Sequence, residues 1–202
     1  EGKMTDASFV EAPRQRNTRE ENKQLKDGII PKDWKKNPDK LRQKDTDARW
    51  TQKNGHNYYG YKDHIKADTK TKIITGYAVT PANVHDSQTT EDLLDKKDKH
   101  QPLWGDSAYS SEEMEKMLKK KKIQSRIHEK GYRNNPLTKK QLKRNRKKSK
   151  VRARVEHIFG FMENSMRGMR TRFRSMIRVE ASVGLMNITY NLFRLVQLKV
   201  QL

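Results

Sequence analysis

The apolar and polar positions of the chain alternate in ways that predict five short strands. Residues 58–67 place apolar and polar side chains on opposite faces, as a half-buried strand does. Residues 73–79 are rich in β-branched side chains and follow a turn-forming run at 68–71, which indicates the return strand of a hairpin. The five predicted strands span residues 4–10, 58–67, 73–79, 101–106 and 123–127.

Two helices are predicted between the strands, each beginning at a residue that suits a helix N-cap. Asp86 or Ser87 is expected to cap a helix that runs through Leu94. Ser110 or Ser111 is expected to cap the second helix. The side-chain oxygens of these residues can accept hydrogen bonds from the free N–H groups of a first helical turn.

Two longer helices are predicted toward the end of the sequence, where apolar residues recur at helical spacing. The first stripe runs from Val151 to Met166 and the second from Val179 to Val200. The basic residues 128–149 that precede them are predicted as a connector. Three leucines widen the second stripe enough that we expect a buried helix: Leu185, Leu192 and Leu195.

The order of these elements predicts the fold class. Strand, hairpin, helix, strand, helix, strand and two helices indicate an α/β layer with helices packed on a central mixed five-stranded sheet. We expect one domain over residues 1–202. Residues 11–55 are polar and contain three prolines, so they form an insertion after the first strand that is either functional or partly disordered.

The charge of the chain points to a polyanionic partner. It carries 46 Lys and Arg against 25 Asp and Glu, a net charge of +21, and such a field attracts DNA, RNA or an acidic membrane surface. The absence of cysteine excludes thiolate zinc sites and cysteine nucleophiles. No apolar run reaches the ~18 residues that a membrane span needs. The sequence contains no Gly-x-x-x-x-Gly-Lys-Ser/Thr loop, so it does not indicate a nucleotide cofactor.

Three acids are candidates for a metal site. Asp6 and Asp106 lie in or at the end of short apolar strands, where a carboxylate is costly to desolvate unless a cation lies beside it. Glu156 lies at the edge of an apolar helical stripe. Carboxylate oxygens are the ligands that Mg²⁺ and Mn²⁺ prefer. Strand acids are more often turn or edge residues, however, and Glu156 is spaced to pair with Arg152 on the helix surface.

Five motifs follow one another along nearly the whole chain. They are TDASFVEAP at 5–13, DARWT at 47–51 followed by YGYKDH at 59–64, TPANVHDS at 80–87, GDSAY at 105–109 and RARVEHIFG at 152–160. In this order they resemble the DDE transposases of bacterial insertion sequences, in particular the insertion-sequence-five family. The chain departs from that family at Ser149 and Glu163, where a tyrosine and a basic residue are usual, and this bears on contacts to DNA ends.

The resemblance implies a ribonuclease-H-like fold and a specific chemistry. Asp6, Asp106 and Glu156 would be the three catalytic, metal-binding acids, holding two Mg²⁺ or Mn²⁺ ions. The implied reaction is metal-dependent cleavage at transposon ends, followed by attack of the freed 3′-hydroxyl on target DNA. We expect a cytoplasmic, nucleoid-associated bacterial protein that is a homodimer when full length. We also expect this chain to lack the family's N-terminal DNA-binding region.

Basic and aromatic residues near these motifs are predicted to bind DNA. Cations interleaved with aromatic rings suit phosphates and bases, although charge runs are often only solvated faces and the tyrosines suit sheet packing equally. The predicted set is Arg49, Trp50, Lys53, Lys62, His64, Arg144, Arg146, Lys147, Lys148, Arg152 and Arg154. Two other functions stay open: a non-catalytic DNA-binding relic or fragment of a transposase, and a basic RNA- or membrane-associated protein.

Overall fold

A single mixed sheet with helices packed on it organises the computed structural model, which describes residues 2–200. The strands are β1 (Lys3–Glu11), β2 (Arg49–Lys53), β3 (His56–Asp68), β4 (Ile74–Pro81), β5 (Pro102–Trp104) and β6 (Gln124–Ser125). The helices are α1 (Arg19–Lys26), α2 (Lys32–Lys36), α3 (Pro38–Gln43), α4 (Thr90–Leu93), α5 (Glu112–Lys120), α6 (Lys139–Ser165) and α7 (Met176–Val200). The α/β class is confirmed. The sheet has six strands rather than the predicted five, because β2 forms inside the polar insertion.

Strand β1 joins the antiparallel and parallel halves of the sheet. The long strand β3 is the centre of the antiparallel half. It pairs antiparallel with β1, β2 and β4, and β1 pairs in parallel with β5, which pairs in parallel with β6. Gly60 lies where β1, β2 and β3 meet, and its φ of +143° suits glycine alone. A side chain there would collide with the Val10 carbonyl.

Two apolar clusters hold the layers together. The larger one packs α6 and α7 against β1, β3 and β4 and includes Val155, Ile158 and Val183. The smaller one packs α5 against β5 and β6 through Leu103 and Leu118. Because β1 and β5 border different clusters, the junction between these two strands is where polar side chains can gather without cutting through a core.

Two helix predictions were wrong in their bounds. Residues 139–149 belong to α6 and are not a connector, because Thr138 and Gln141 form a capping box and the Lys and Arg residues that follow favour helix. The helix predicted after Asp86 breaks into a 3₁₀ turn, Asp86–Thr89, and the four-residue α4. Its cap is His85, whose Nδ1 accepts from the Ser87 N–H.

The prediction that α7 is buried was also wrong. Its inner face contributes Val179, Val183 and Tyr190 to the core, but Leu185 and Leu192 are 66% and 59% exposed. The apolar stripe of α7 is therefore wider than the part of the helix that packs against the rest of the chain.

The insertion after β1 is ordered around a small apolar centre. Leu25 and Trp34 are buried, and the Trp34 indole N–H donates to Glu21 at 2.7 Å. The Tyr61 hydroxyl donates to both oxygens of Asp45, at 2.7 and 2.8 Å, which fixes the end of the insertion to β3. Within residues 2–200, no helix has the length and apolar character to cross a bilayer.

Candidate active site

Parallel pairing places Asp6 and Asp106 side by side. Met4 of β1 is the register partner of Trp104 in β5, and each aspartate lies two residues farther along its strand direction. Side chains two residues apart point to the same face, so both carboxyl groups emerge at the end of β5 on one side. Asp106 caps the 3₁₀ turn Ser107–Tyr109 by accepting from the Ala108 N–H, which fixes its orientation.

The proximity of the two aspartates changes how Asp6 ionises. The pKa of Asp6 is raised to about 6, mainly by burial and to a smaller extent by the negative charge of Asp106. A hydrogen bond from the Ala7 N–H, 2.9 Å long, and the guanidinium of Arg152 act in the opposite direction. Asp6 is therefore a desolvated carboxyl group with an acid as its neighbour, a setting in which a further cation would stabilise the charged form.

Arg152 links the third acid to this pair. Its Nη1 donates to Asp6 Oδ2 at 3.1 Å, and its Nη2 donates to Glu156 Oε1 at 2.6 Å. The Glu156 side chain is 55% exposed, so it reaches the rim of the site rather than its floor. One guanidinium group thus binds both Asp6 of β1 and Glu156 of α6 and partly neutralises their charges.

The donor set fits a divalent cation in chemistry but is not assembled as a ligand cage. Within residues 2–200, no three acidic or histidine side chains are close enough together to hold a metal ion. Asp6 and Asp106 offer hard oxygen ligands at one point, and Glu156 is held aside by Arg152. Gathering all three acids around an ion requires the Arg152 side chain to leave Asp6.

His128 is a site residue that the sequence reasoning missed. Its backbone N–H donates to the Gly105 carbonyl at 3.1 Å, next to Asp106. Burial lowers the pKa of the imidazole, the nearby Arg152 and Lys148 lower it further, and Asp106 raises it. The signal was available, because His128 follows the predicted strand at 123–127 as Asp106 ends the strand at 101–106.

Several of the predicted DNA-binding residues are engaged inside the fold. Arg49 donates to the carbonyls of Thr46 and Leu25 and so holds α1 against β2. Lys62 donates to Asp86 at 2.7 Å and to the Val84 carbonyl at 2.8 Å.

His64 is buried, and its Nε2 lies 2.8 Å from the Thr80 hydroxyl. Burial lowers the pKa of His64 to about 4. A neutral, enclosed imidazole is out of reach of a phosphate, so His64 does not belong to a DNA-facing surface in this conformation.

The remaining predicted residues lie at or near the surface, and they differ in whether their side chains bind other groups of the protein. Arg144 pairs with Glu129 through two bonds of 2.8 Å, and Lys148 donates to the Ile127 carbonyl. Trp50 is 39% exposed, and Lys53 lies 5.7 Å above the Phe9 ring. Among the described residues, five cations of the set form no ion pair with a carboxylate: Arg49, Lys53, Arg146, Lys147 and Arg154. Arg154 donates to the Thr69 carbonyl.

Comparison with known proteins identifies the family of the chain. The family described as "Transposase DDE domain" matches residues 4–192, from β1 to α7. The chain belongs to this family of DDE-domain transposases. It is 37% identical over 155 residues to the "Transposase for insertion sequence element IS1106" of Neisseria meningitidis serogroup B. The alignment covers 75% of this chain and 52% of that protein, so the chain spans about half the length of this curated relative. No solved structure matches it.

Proposed function

We propose that this chain carries the catalytic site of an insertion-sequence transposase that cleaves DNA at transposon ends and joins them to target DNA. The observation that carries the proposal is the placement of Asp6 on β1 beside Asp106, which follows the parallel strand β5, with Glu156 linked to Asp6 through Arg152. The strand order β4-β3-β1-β5-β6, antiparallel then parallel, supports a ribonuclease-H-like fold. We place the activity in the bacterial cytoplasm, at the nucleoid.

Asp6, Asp106 and Glu156 would hold two divalent ions, Mg²⁺ or Mn²⁺. Such ions supply Lewis-acid activation of the attacking oxygen and charge stabilisation of the leaving oxygen in phosphodiester transfer. The aspartates are held in place by the Ala7 and Ala108 N–H groups, so part of the site is preorganised before any ligand arrives.

Arg152 partly neutralises the negative charges of Asp6 and Glu156. Once freed from Asp6, its guanidinium has donors for a DNA phosphate at the same rim. His128, beside Asp106, is placed to orient that segment of the site through hydrogen bonding rather than by charge, since its pKa is lowered.

We propose that the DNA follows two basic surfaces beside the acids. One is the exposed outer side of α6 with Arg146 and Lys147, and the other is the rim with Lys53. A cavity of about 300 Å³ lies between Ala7, Ser8 and Phe9 of β1 and Lys53 of β2, large enough for part of a nucleotide. Lys53 and the Phe9 ring line one part of this cavity and suit a phosphate with its attached base. Lys62, which also lines it, pairs with Asp86.

We also propose that the full-length protein forms a homodimer through α7. Its exposed stripe alternates at intervals of four and three residues, the spacing of helices that pair side by side: Ala181, Leu185, Ile188, Leu192 and Leu195. Residues 181–193 contain no charge, which disfavours DNA as the occupant. A second copy offers the same uncharged stripe, and a two-fold interface needs only one such patch.

Sedimentation velocity of the chain at several concentrations tests this interface. We expect a dimer that Leu192→Glu converts to a monomer, whereas Gln197→Glu, on the opposite side of the helix, leaves it unchanged. A wild-type monomer at every concentration would reject the homodimer and leave the stripe to another partner.

A nicking assay tests the catalytic proposal. A labelled duplex is incubated with Mn²⁺, with Mg²⁺ or with EDTA, and the wild-type chain is compared with its Glu156→Gln variant. We expect metal-dependent nicking that the variant loses. DNA binding without nicking in any metal would favour the second candidate, a DNA-binding fragment or relic. That candidate is supported by the arrangement of the side chains, because within residues 2–200 no three acidic or histidine side chains lie close enough together to hold a metal ion.

A further inference from the structure

The turn between β3 and β4 gathers basic side chains from three separate elements. Lys72 lies in the turn itself, Arg154 and His157 lie on α6, and Arg194 lies on α7. We call these four residues the turn cluster. Arg154 Nη1 donates to the Thr69 carbonyl at 2.7 Å. Arg194 Nε donates to the Thr71 carbonyl at 2.7 Å. Lys72 Nζ lies 3.0 Å from His157 Nδ1. The two helices therefore converge on the turn through their cations.

Backbone contacts hold the turn cluster in place. The Tyr190 hydroxyl of α7 donates to the Lys72 carbonyl at 3.1 Å. Lys72 has a φ of +61°, a conformation that positions its side chain toward the helices instead of along the strand. Arg154 uses one of its five N–H donors in the bond to the turn, and the others can bind a ligand. Side chains held in this way lose little freedom when an anion binds.

Within residues 2–200, no carboxylate forms an ion pair with the turn cluster. Its nearest turn acid, Asp68, is already shared by Lys3 and by the Thr71 hydroxyl and N–H. Lys72, Arg154 and Arg194 form no ion pair with a described carboxylate, unlike Lys62 or Lys66 elsewhere on β3. Burial lowers the pKa of Lys72, and the neighbouring Arg194 and Arg154 lower it further. The cations repel one another, and an anion between them would relieve that repulsion.

This site is separate from the three acids. Successive residues of a helix are ~100° apart, so Arg152 and Glu156 lie on one flank of α6 and Arg154 and His157 on the other. The buried Val155 and Ile158 lie between these flanks. An anion at the turn cluster would therefore occupy the opposite side of the helix from the site of cleavage.

We propose that the turn cluster binds a phosphate group, either one of the DNA backbone or free phosphate. Guanidinium and ammonium groups gathered around one turn suit the oxygens of a phosphate. The DNA source rests on the proposed function, since it makes the turn cluster a second contact for the nucleic acid. The free-phosphate source does not.

The test compares two variants of matched charge. Lys72→Asn removes the central ammonium and keeps a residue that tolerates positive φ. Lys116→Gln removes an exposed lysine of α5 that pairs with Glu112 and serves as the control. Fluorescence anisotropy with a labelled duplex in EDTA, at several KCl concentrations, gives affinity and salt slope. Titration with inorganic phosphate, followed by ³¹P line broadening, forms the second arm. Thermal unfolding confirms that both variants fold.

We expect Lys72→Asn to weaken DNA binding roughly three- to tenfold and to reduce the salt slope by about one, with Lys116→Gln close to wild type. Loss of phosphate broadening in Lys72→Asn, with DNA binding unchanged, would assign the turn cluster to free phosphate. If Lys72→Asn matches the control in both arms, the inference is wrong. A wild-type chain that does not bind DNA at all would count against the proposed function, and the phosphate arm would still decide the turn cluster.

Discussion

Asp63 of β3 and Asn187 of α7 form a buried polar pair whose hydrogen bonding depends on one proton. Asn187 Nδ2 donates to Asp63 Oδ1 at 3.3 Å. Within residues 2–200, Asp63 Oδ2 and Asn187 Oδ1 have no partner. A proton on the Asp63 carboxyl gives Oδ2 a hydrogen to donate to the Asn187 carbonyl oxygen. Burial raises the pKa of Asp63 to about 7, and the bond from Asn187 only partly opposes this.

The raised pKa makes the fold less stable as the pH increases. Between the ordinary value of 3.8 and about 7, the folded chain keeps a proton that the unfolded chain has released. The free energy of unfolding therefore falls across this range and stops falling above about pH 7. The full loss is ~4 kcal/mol, of which ~2.5 kcal/mol falls between pH 5 and pH 8.

Asp63→Asn removes the titration and keeps the geometry. Its amide donates to Asn187 and accepts from it, so we expect a variant that is more stable than wild type at pH 8. The advantage should be ~2.5 kcal/mol larger at pH 8 than at pH 5, or roughly 5–10 °C in Tm. Denaturant unfolding followed by circular dichroism at both pH values measures this gap.

Other titrating groups are common to both chains and cancel in the difference. Asp39→Asn, at a carboxylate that is 84% exposed, serves as the control and should show no pH-dependent gap. An equal gap between wild type and Asp63→Asn at pH 5 and pH 8 would refute the reasoning.

Three further changes test other parts of the structure. Gly60→Ala places a side chain at a positive φ and against the Val10 carbonyl. We expect the free energy of unfolding to fall by ~1–3 kcal/mol or more. A Tm equal to that of the wild type would show that β1, β2 and β3 do not meet at Gly60 as described. Trp34→Ala should cost ~3–5 kcal/mol locally and make residues 13–47 the first site of limited proteolysis; cleavage elsewhere first would contradict the role of Trp34. Arg152→Gln removes the cation that competes at Asp6 and Glu156, so without DNA it should bind Mn²⁺ roughly tenfold more tightly. Weaker Mn²⁺ binding would show that Arg152 supports the acids instead of competing with a metal.

The sequence predicted the strands of the sheet better than the surroundings of α6 and α7. Alternation and β-branched runs reflect local geometry, and the predicted strands include β1, which carries Asp6, and β5, which ends two residues before Asp106. Helix periodicity shows which residues are apolar but not what covers them, so the burial expected for Leu192 failed. The α6 start was missed because a dense basic run resembles a solvated loop, although Thr138 and Gln141 encode its cap.

The sequence could not predict the whole site, because the site depends on contacts between segments that are distant along the chain. The register of β1 with β5, and so the pairing of Asp6 with Asp106, is not encoded by spacing along the chain. Resemblance to a family supplied the three acids together. It could not show that Arg152 lies between two of them, or that His64 is buried.

The central claim, that Asp6, Asp106 and Glu156 form a divalent-metal site, is tested most directly by Mn²⁺ binding. Free Mn²⁺ is followed by electron paramagnetic resonance during titration of the wild-type chain, of Asp106→Asn and of the Asp39→Asn control. We predict saturable binding by the wild type and the control, and at least a tenfold weaker affinity in Asp106→Asn. Equal binding by all three chains would place the metal elsewhere and contradict the assignment.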